Sequence, residues 1–306
     1  VEITEDIYEY YPDAVLGNKD IFPDFAIIRL DNLTRSLSAD HMDRISKPHL
    51  RGFFEISIGL DEPNLSFVNV GSAQFPSTAR NVVFVSPVQP FSVVFNRLKN
   101  FEPGKGYILA FKPSVLTAKK RSFEILNAFR FFNSYTFPQH ILNISNIKPI
   151  VTIADNIYNE YRSNMPCSRE IIGGYMEVLL HSFNRILKLE IDLPESSTGS
   201  CDYIAARFER KIIEGGNRVY TISKYAEELN VSTNYLSECV KRSTGRSAKQ
   251  ILLNHKLIIA KSLLQQPDKT ISDVAYEMGF TETTNFTKFF KRMTSQTPNQ
   301  FRASDI

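Results

Sequence analysis

The sequence predicts a multidomain α+β fold, with an N-terminal antiparallel β-barrel followed by helices and a C-terminal all-α domain built from two helix-turn-helix units. Three observations predict it. Short apolar segments alternate with turns from Asp24 to about Pro113, the hydrophobic period becomes helical after Ser114, and one helical pattern near the C terminus occurs twice. At 306 residues the chain exceeds what one hydrophobic core commonly serves, and 42% hydrophobic with 23% charged residues supports folded domains over extensive disorder.

The strand segments are Phe25–Leu30, Gly52–Leu60, Leu65–Val70, Asn81–Ser86, Phe91–Phe95 and Tyr107–Phe111. This spacing predicts an antiparallel barrel or sandwich. In Gly52–Leu60, Phe54, Ile56, Ile58 and Leu60 share one face, expected to be core, with Glu55, Ser57 and Gly59 on the other. Two amphipathic helices follow. One is striped by Ile150, Ile153, Ile157 and Tyr161, the other by Ile172, Met176, Leu179, Phe183, Ile186 and Leu187. Such a stripe packs within its chain or forms a dimer seam, and periodicity leaves both open. Pro194–Ser200, rich in Ser with Pro and Gly, reads as a linker. Domains are therefore expected at 1–193 (barrel about 20–113, helices about 114–192) and 203–306, joined by 194–202.

Charge is segregated along the same division. Residues 203–306 hold 16 Lys and Arg against 10 Asp and Glu, a net of +6, whereas 1–202 hold 20 against 23, a net of −3. A basic domain beside a mildly acidic one suits a polyanion at one end only. Cys167, Cys201 and Cys239 are widely spaced and form no C-x-x-C, so neither a disulfide framework nor a zinc knuckle is expected and the thiols read as reduced. No leader pattern stands at Val1, and no apolar run approaches the roughly 20 residues that cross a bilayer. A cytoplasmic protein without membrane contact is expected.

The strongest signal is the repeat. Ile222-Ser-Lys-Tyr-Ala-Glu-Glu-Leu-Asn-Val231 aligns with Ile271-Ser-Asp-Val-Ala-Tyr-Glu-Met-Gly-Phe280 at an offset of 49, and Lys241-Arg242 with Lys291-Arg292 at an offset of 50. Leu236 and Ile251 likewise match Phe286 and Phe301. Each copy reads as helix, turn, helix. Ala226 and Ala275 allow the two helices to approach, and Asn230 and Gly279 suit a left-handed turn. Thr270 with Asp273 forms a capping box, and Ser232 and Thr281 suit the N-caps of the second helices. Cys239, Val240, Phe286, Phe289, Phe290 and Met293 read as core. Ala248–Gln265 reads as one continuous helix between the copies, with Ile251, Leu252, His255, Ile258, Ile259 and Leu263 buried.

On these motifs, with Val231-Ser-Thr-Asn-Tyr-Leu-Ser237, Lys241-Arg-Ser-Thr-Gly245, Phe289-Phe-Lys-Arg292 and Thr297-Pro298, residues of about 203–302 resemble the DNA-binding domain of the AraC/XylS family. One departure is Ser295, where that pattern more often has Gly. The resemblance implies a transcription regulator, commonly an activator, with double-stranded DNA and RNA polymerase as partners, a homodimeric state, and a companion domain for sensing a small-molecule effector. It places Asn234, Ser237 and Glu238 of the first recognition helix and Thr283, Thr284, Thr287 and Lys288 of the second toward bases. Ser232, Lys241, Arg242, Thr281, Lys291 and Arg292 are assigned to phosphates or, for the four cations, to solvent. Asn can pair with adenine, Glu can accept from cytosine, and Thr can meet a thymine methyl. For Glu238 a structural salt bridge is the alternative.

The strand-rich region, with Pro48-His49-Leu-Arg-Gly-Phe-Phe-Glu-Ile56 and Gly104-Lys-Gly-Tyr-Ile-Leu-Ala-Phe111, resembles the cupin-like sensor barrels of the same family. It has only His41 and His49 and no closely spaced His pair on a strand, so no metal and no cofactor is expected. Arg51, Glu55, Arg80 and Tyr107 are the effector-site candidates at the barrel mouth, each with a structural alternative. No nucleophile elbow, Walker loop or dinucleotide fingerprint is present, and no enzyme is expected. Three readings compete: an effector-responsive regulator, a regulator whose N-terminal domain only dimerises or binds a protein, and a cupin-type enzyme or DNA-repair protein. For the last, Cys167 in Met165-Pro-Cys-Ser168 lacks an activating basic context.

Overall fold

A computed structural model of the chain describes residues 3–11, 20–33, 38–63, 65–71, 73–87, 89–96, 104–117, 122–133, 136–187, 201–215, 219–266 and 268–304. The expected linker Pro194–Ser200 lies outside them. Two compact units result, one of residues 3–120 and 129–190, the other of 121–128 and 191–306.

The first unit opens with β1 (Ile3–Thr4), α1 (Ile7–Tyr10), β2 (Phe25–Arg29), α2 (Leu30–Leu33) and α3 (Ala39–Ser46). Then come β3 (Leu50–Arg51), β4 (Phe54–Gly59), β5 (Leu65–Val70), β6 (Ala73–Phe75), β7 (Asn81–Val85), β8 (Phe91–Phe95) and β9 (Gly106–Phe111). All six segments expected from alternation form strands. Strands β1, β3, β6 and the later β10 (Gln139–Ile141) are two or three residues long, too short for alternation to register. A five-stranded antiparallel sheet runs in the order β10-β7-β4-β9-β2, a three-stranded one in the order β6-β5-β8, and β1 pairs parallel with β3. Among the described residues no ladder joins the two larger sheets.

β4 corrects the expectation of one buried face. Phe54, Ile56 and Ile58 are fully buried, and the Phe54 ring stacks on Phe111 at 5.3 Å and meets Phe132 at 4.9 Å. The opposite face is also withdrawn from solvent, with Glu55 only 3% exposed, because Glu55, Ser57 and Gly59 line an internal cavity. Helices α5 (Ile144–Ser163) and α6 (Ser168–Leu187) pack on each other. Ile147, Ile150, Ala154, Ile157 and Tyr161 of α5, and Ile172, Met176, Leu179 and Phe183 of α6, are buried within the single chain, while Ile153, Ile186 and Leu187 are half-buried. These stripes are therefore intra-chain core.

The second unit is helical: α4 (Ser122–Ala128), α7 (Cys201–Glu214), α8 (Ile222–Glu228), α9 (Thr233–Thr244), α10 (Ala248–Leu264), α11 (Ile271–Glu277), α12 (Thr283–Thr294) and α13 (Pro298–Ser304). Phe208, Tyr225, Leu236, Val240 and Leu252 meet in one core, and α4 adds buried Ile125 and Leu126 to the unit. α7 lies along α9, and this corrects the reading of three reduced thiols. Cys201 and Cys239, 38 residues apart, are joined in a disulfide with their Cα atoms 4.3 Å apart, whereas Cys167 is free and exposed. Nothing in a 38-residue separation announces a pair that helix packing brings together.

α10 is the centre of this unit, and every residue expected to be buried there is buried. Among them is His255, 6% exposed, whose Nε2 has no hydrogen-bond partner. Burial pushes its imidazole down to about 4. An unfolded His titrates near 6.5, so between those values the unfolded chain binds the extra proton and stability rises with pH. The contribution is complete above about pH 6.5 and is lost as pH falls toward about 4, up to about 3 kcal/mol. Denaturant unfolding of the C-terminal unit should show a midpoint that falls between pH 7 and 5, and His255→Leu should remove much of that fall. An unchanged pH dependence in the variant would place the sensitivity elsewhere.

Candidate functional site

The two repeats share most of their local hydrogen bonds. In the first, Thr221 caps α8 by accepting from the Lys224 amide, and in the second Thr270 and Asp273 form the expected capping box at α11. Each first helix then closes with the same contact, Val231 N–H donating to the Ala226 carbonyl at 3.0 Å and Phe280 N–H to the Ala275 carbonyl at 2.9 Å. Ala226 and Ala275 are 2% and 0% exposed, which explains the small side chain at each. Between them the chain passes through a left-handed residue, Asn230 at φ 57° and Gly279 at φ 79°. A Cβ on Gly279 would meet nothing within 4 Å, so backbone conformation alone requires glycine there.

The recognition helices end alike as well. Thr244 Oγ1 donates to the Val240 carbonyl and Thr294 Oγ1 to that of Phe290, and each hydroxyl then accepts an amide, from Arg246 and from Gln296, at 3.2 Å. The next helices are capped by Ser247 and Thr297, each accepting an amide at 3.2 Å. The N-terminal ends differ. Ser232 caps α9 as expected, accepting from the Tyr235 amide at 3.1 Å, but α12 starts at Thr283, so Glu282 rather than Thr281 is its N-cap residue. Glu282 makes no capping bond and instead accepts from Thr284 Oγ1 at 3.0 Å.

Burial repeats almost position by position along α9 and α12. Leu236, Cys239 and Val240, and Phe286, Phe289 and Phe290, face inward, with Met293 half-buried. The opposite faces carry the assigned polar residues. Asn234, Glu238, Lys241 and Arg242 are exposed and Ser237 half-buried on α9, while Thr284, Lys288, Lys291 and Arg292 are exposed and Thr283 and Thr287 half-buried on α12. Ser232 and Thr281 are exposed just before these helices. Two hydroxyls are already engaged, Ser237 donating to the Thr233 carbonyl at 2.8 Å and Thr283 sharing a hydrogen bond with Ser272 at 3.1 Å. Tyr235 and Asn285 occupy the same exposed faces and escaped the sequence assignment, although each directly follows an assigned residue.

Glu238 has no ion-pair partner among the described residues, and neither have Lys241, Arg242, Lys288, Lys291 and Arg292. Lys241 and Arg242, and Lys291 and Arg292, sit in the last turns of α9 and α12, where cations complement the helix dipole. Each recognition helix thus presents a short polar face toward its N-terminal half and two cations at its far end.

The effector candidates of the first unit separate. Arg51 and Glu55 meet in a buried ion pair at the internal cavity. Arg80 lies outside it, exposed in a turn at φ 54°, and the hydroxyl of buried Tyr107 is held by Asp155. His49 bonds to Tyr10 through Nε2 at 2.8 Å and to the Lys47 carbonyl through Nδ1 at 2.9 Å. The sequence missed Tyr10, Tyr11, Ser57 and Asn81 as cavity residues. The polar face of β4 was the available signal for Ser57. Among the described residues no group of His, Cys, Asp and Glu is placed to hold a metal, and no helix is long and apolar enough to cross a membrane.

Residues 225–304 match the family model of a helix-turn-helix domain. Over 102 residues the chain is 31% identical to an uncharacterised HTH-type transcriptional regulator of Staphylococcus aureus, an alignment covering 33% of this chain and 13% of that protein. It is 30% identical over 81 residues to the Msm operon regulatory protein of Streptococcus mutans, covering 26% of this chain and 29% of that one. Among solved structures, the C-terminal domain of AraT, a response regulator from Geobacillus stearothermophilus, is 29% identical with a TM-score of 0.32, covering 33% of this chain and 84% of that one. A transcriptional regulator with an AraC-type DNA-binding domain from Chromobacterium violaceum is 22% identical with a TM-score of 0.31, covering 33% and 90%. The chain thus spans 13% and 29% of the length of the two regulators it matches.

After each recognition helix the chain turns left-handed, at Gly245 with φ 68° and at Ser295 with φ 64°. The Cβ of Ser295 costs about 1 kcal/mol in that conformation. Ser295→Gly should raise the unfolding free energy of the C-terminal unit by about 0.5–1 kcal/mol, read from its urea midpoint. Gly245→Ala should lower it by about as much. A lower midpoint for Ser295→Gly would show that the hydroxyl, not the backbone, matters at this position.

Proposed function

We propose that this chain, which carries an AraC-type helix-turn-helix domain over residues 225–304, is a sequence-specific DNA-binding transcription regulator that responds to a small molecule through its N-terminal unit. The observation that carries the reading is the duplicated unit, because two recognition helices repeat the same buried face, the same turn and the same exposed polar face. Such a pair suits two successive major grooves on one side of the duplex, roughly 34 Å or one helical turn apart.

Base reading falls to Asn234, Ser237 and Glu238 of α9 and to Thr283, Thr284, Thr287 and Lys288 of α12. Ser232, Lys241, Arg242, Thr281, Lys291 and Arg292 contact phosphates. The exposed carboxylate of Glu238 suits cytosine N4, the one base amino group in the major groove without an acceptor beside it on its own base. With three Thr among its four assigned residues, α12 relies more on methyl contacts and groove shape. The regulator acts in the bacterial cytoplasm as an activator that contacts RNA polymerase. It is a homodimer. With the α5 and α6 stripes used within the chain, the exposed Ile171 and Val178 of α6, at 41% and 52%, supply its seam. Residues 1–193, apart from α4, which belongs to the second unit, form the cupin-like sensor domain, 194–202 the linker and 203–306 the DNA-binding domain. An effector alters transcription by binding more tightly to one arrangement of the paired DNA-binding domains than to another.

Selection of bound sequences from a random duplex pool by the full chain tests the reading, and an enriched motif of two blocks about ten base pairs apart is expected. On that motif, Asn234→Ala and Thr284→Ala should each relax base preference by about 1–3 kcal/mol at one block. Arg242→Ala and Arg292→Ala should weaken all duplexes similarly and flatten the salt dependence. Base preferences untouched by the first pair would remove α9 and α12 as the reading helices.

A further inference from the structure

The first unit holds a partly open cavity of about 120 Å³. Its walls come from the inward faces of both larger sheets and from α1, α2 and α3, and they are mainly apolar, with Leu33, Ile45, Val68, Val93 and Ile108 among them. Polar side chains interrupt them at His41, Ser57, Ser77 and Asn81, and the charged ones are Arg51 and Glu55. Arg51, 1% exposed, bonds through Nη1 to Glu55 and lies with its guanidinium carbon 4.2 Å from the Phe91 ring centroid and 5.1 Å from that of Tyr10. Its Nε and Nη2 are buried with no hydrogen-bond partner. Two unmet N–H donors on a buried cation are among the costliest features a core can hold, and they call for an acceptor oxygen from outside the chain.

The surroundings restrict what that oxygen belongs to. Glu55 already neutralises Arg51, so a second anion would enter an apolar cavity beside a carboxylate without a cation of its own. The nearest ring nitrogens add no charge, since burial pushes both His41 and His49 down to about 4. The tyrosine hydroxyls are engaged, Tyr11 with Glu55 and Tyr10 with His49. Size sets a second limit. A dry cavity of about 150 Å³ admits benzene, so this one holds roughly one ring or its equivalent.

We propose that this cavity binds a small, uncharged, largely apolar molecule of about one ring in size, whose carbonyl-type oxygen accepts from Nε–H and Nη2–H of Arg51. The proposal rests on the sensing half of the function above but can be read without DNA. Calorimetric titration of the full chain with acetophenone, ethylbenzene and benzoate separates the contributions. They share a ring and differ in carrying a neutral acceptor, none, or an anion. Acetophenone should bind at least about tenfold more tightly than the other two, as expected of a hydrogen bond to a charged donor. Arg51→Met should erase its advantage over ethylbenzene. Because that change strands Glu55, Val93→Phe serves as the second variant, filling the cavity from β8 without touching the ion pair's own residues, and should abolish binding while the thermal transition of the unit persists. Equal affinity for acetophenone and ethylbenzene, preference for benzoate, no binding by any probe, or binding that survives Val93→Phe would each overturn the site. Acetophenone that binds as expected yet leaves affinity for the selected duplex unchanged would uphold the site and remove its role as an effector site.

Discussion

The second unit depends on one helix that has almost no solvent-facing side. α10 buries Ile251, Leu252, Leu257, Ile258, Ile259, Leu263 and Leu264, and even Lys261 and Ser262 are less than a tenth exposed. A surface helix would bury one stripe, and from Ile251 onward this one is withdrawn from solvent nearly all round because it has partners on several sides. α9 packs on it from one repeat and α11, α12 and α13 from the other, with α4 and α7 covering the rest. Rigid burial of this kind leaves little freedom for the two recognition helices to move independently. The duplication then acquires a purpose, since one stiff body presents two equivalent polar faces.

How much of this was legible in the sequence depended on whether the constraint was local. The left-handed turn at Asn230 and Gly279, the small Ala226 and Ala275, and the capping box at Thr270 are decided by bonds a few residues long, and all could be read directly. The start of α12 could not. Thr281 and Glu282 compete for the cap, and the change of offset from 49 to 50 between the copies falls in that stretch, so the residue equivalent to Ser232 is Glu282. The disulfide depends on two helices meeting side by side, for which the sequence carries no spacing rule.

The strand-rich unit shows the same division. Alternation located six strands, because strand length and turns are local. Alternation assigned one face of β4 to the core but could not show that the other, with Glu55, is withdrawn too, because that depends on the second sheet and the first three helices, which line a cavity there. A charged pair at positions four apart, Arg51 and Glu55, looked like two separate mouth residues and is one buried ion pair. The alternative roles of Arg80 and Tyr107 were equally invisible, since one is set by a turn at φ 54° and the other by Asp155 on α5, 48 residues away.

The central claim is that a single copy of the duplicated unit engages DNA with both recognition helices at once. Hydroxyl-radical footprinting of the full chain on a selected duplex tests it most directly, because the pattern reports which face of the helix is covered. Two protected patches per copy, about ten base pairs apart on the same face, are predicted. A single patch per copy, or patches on opposite faces, would contradict the account.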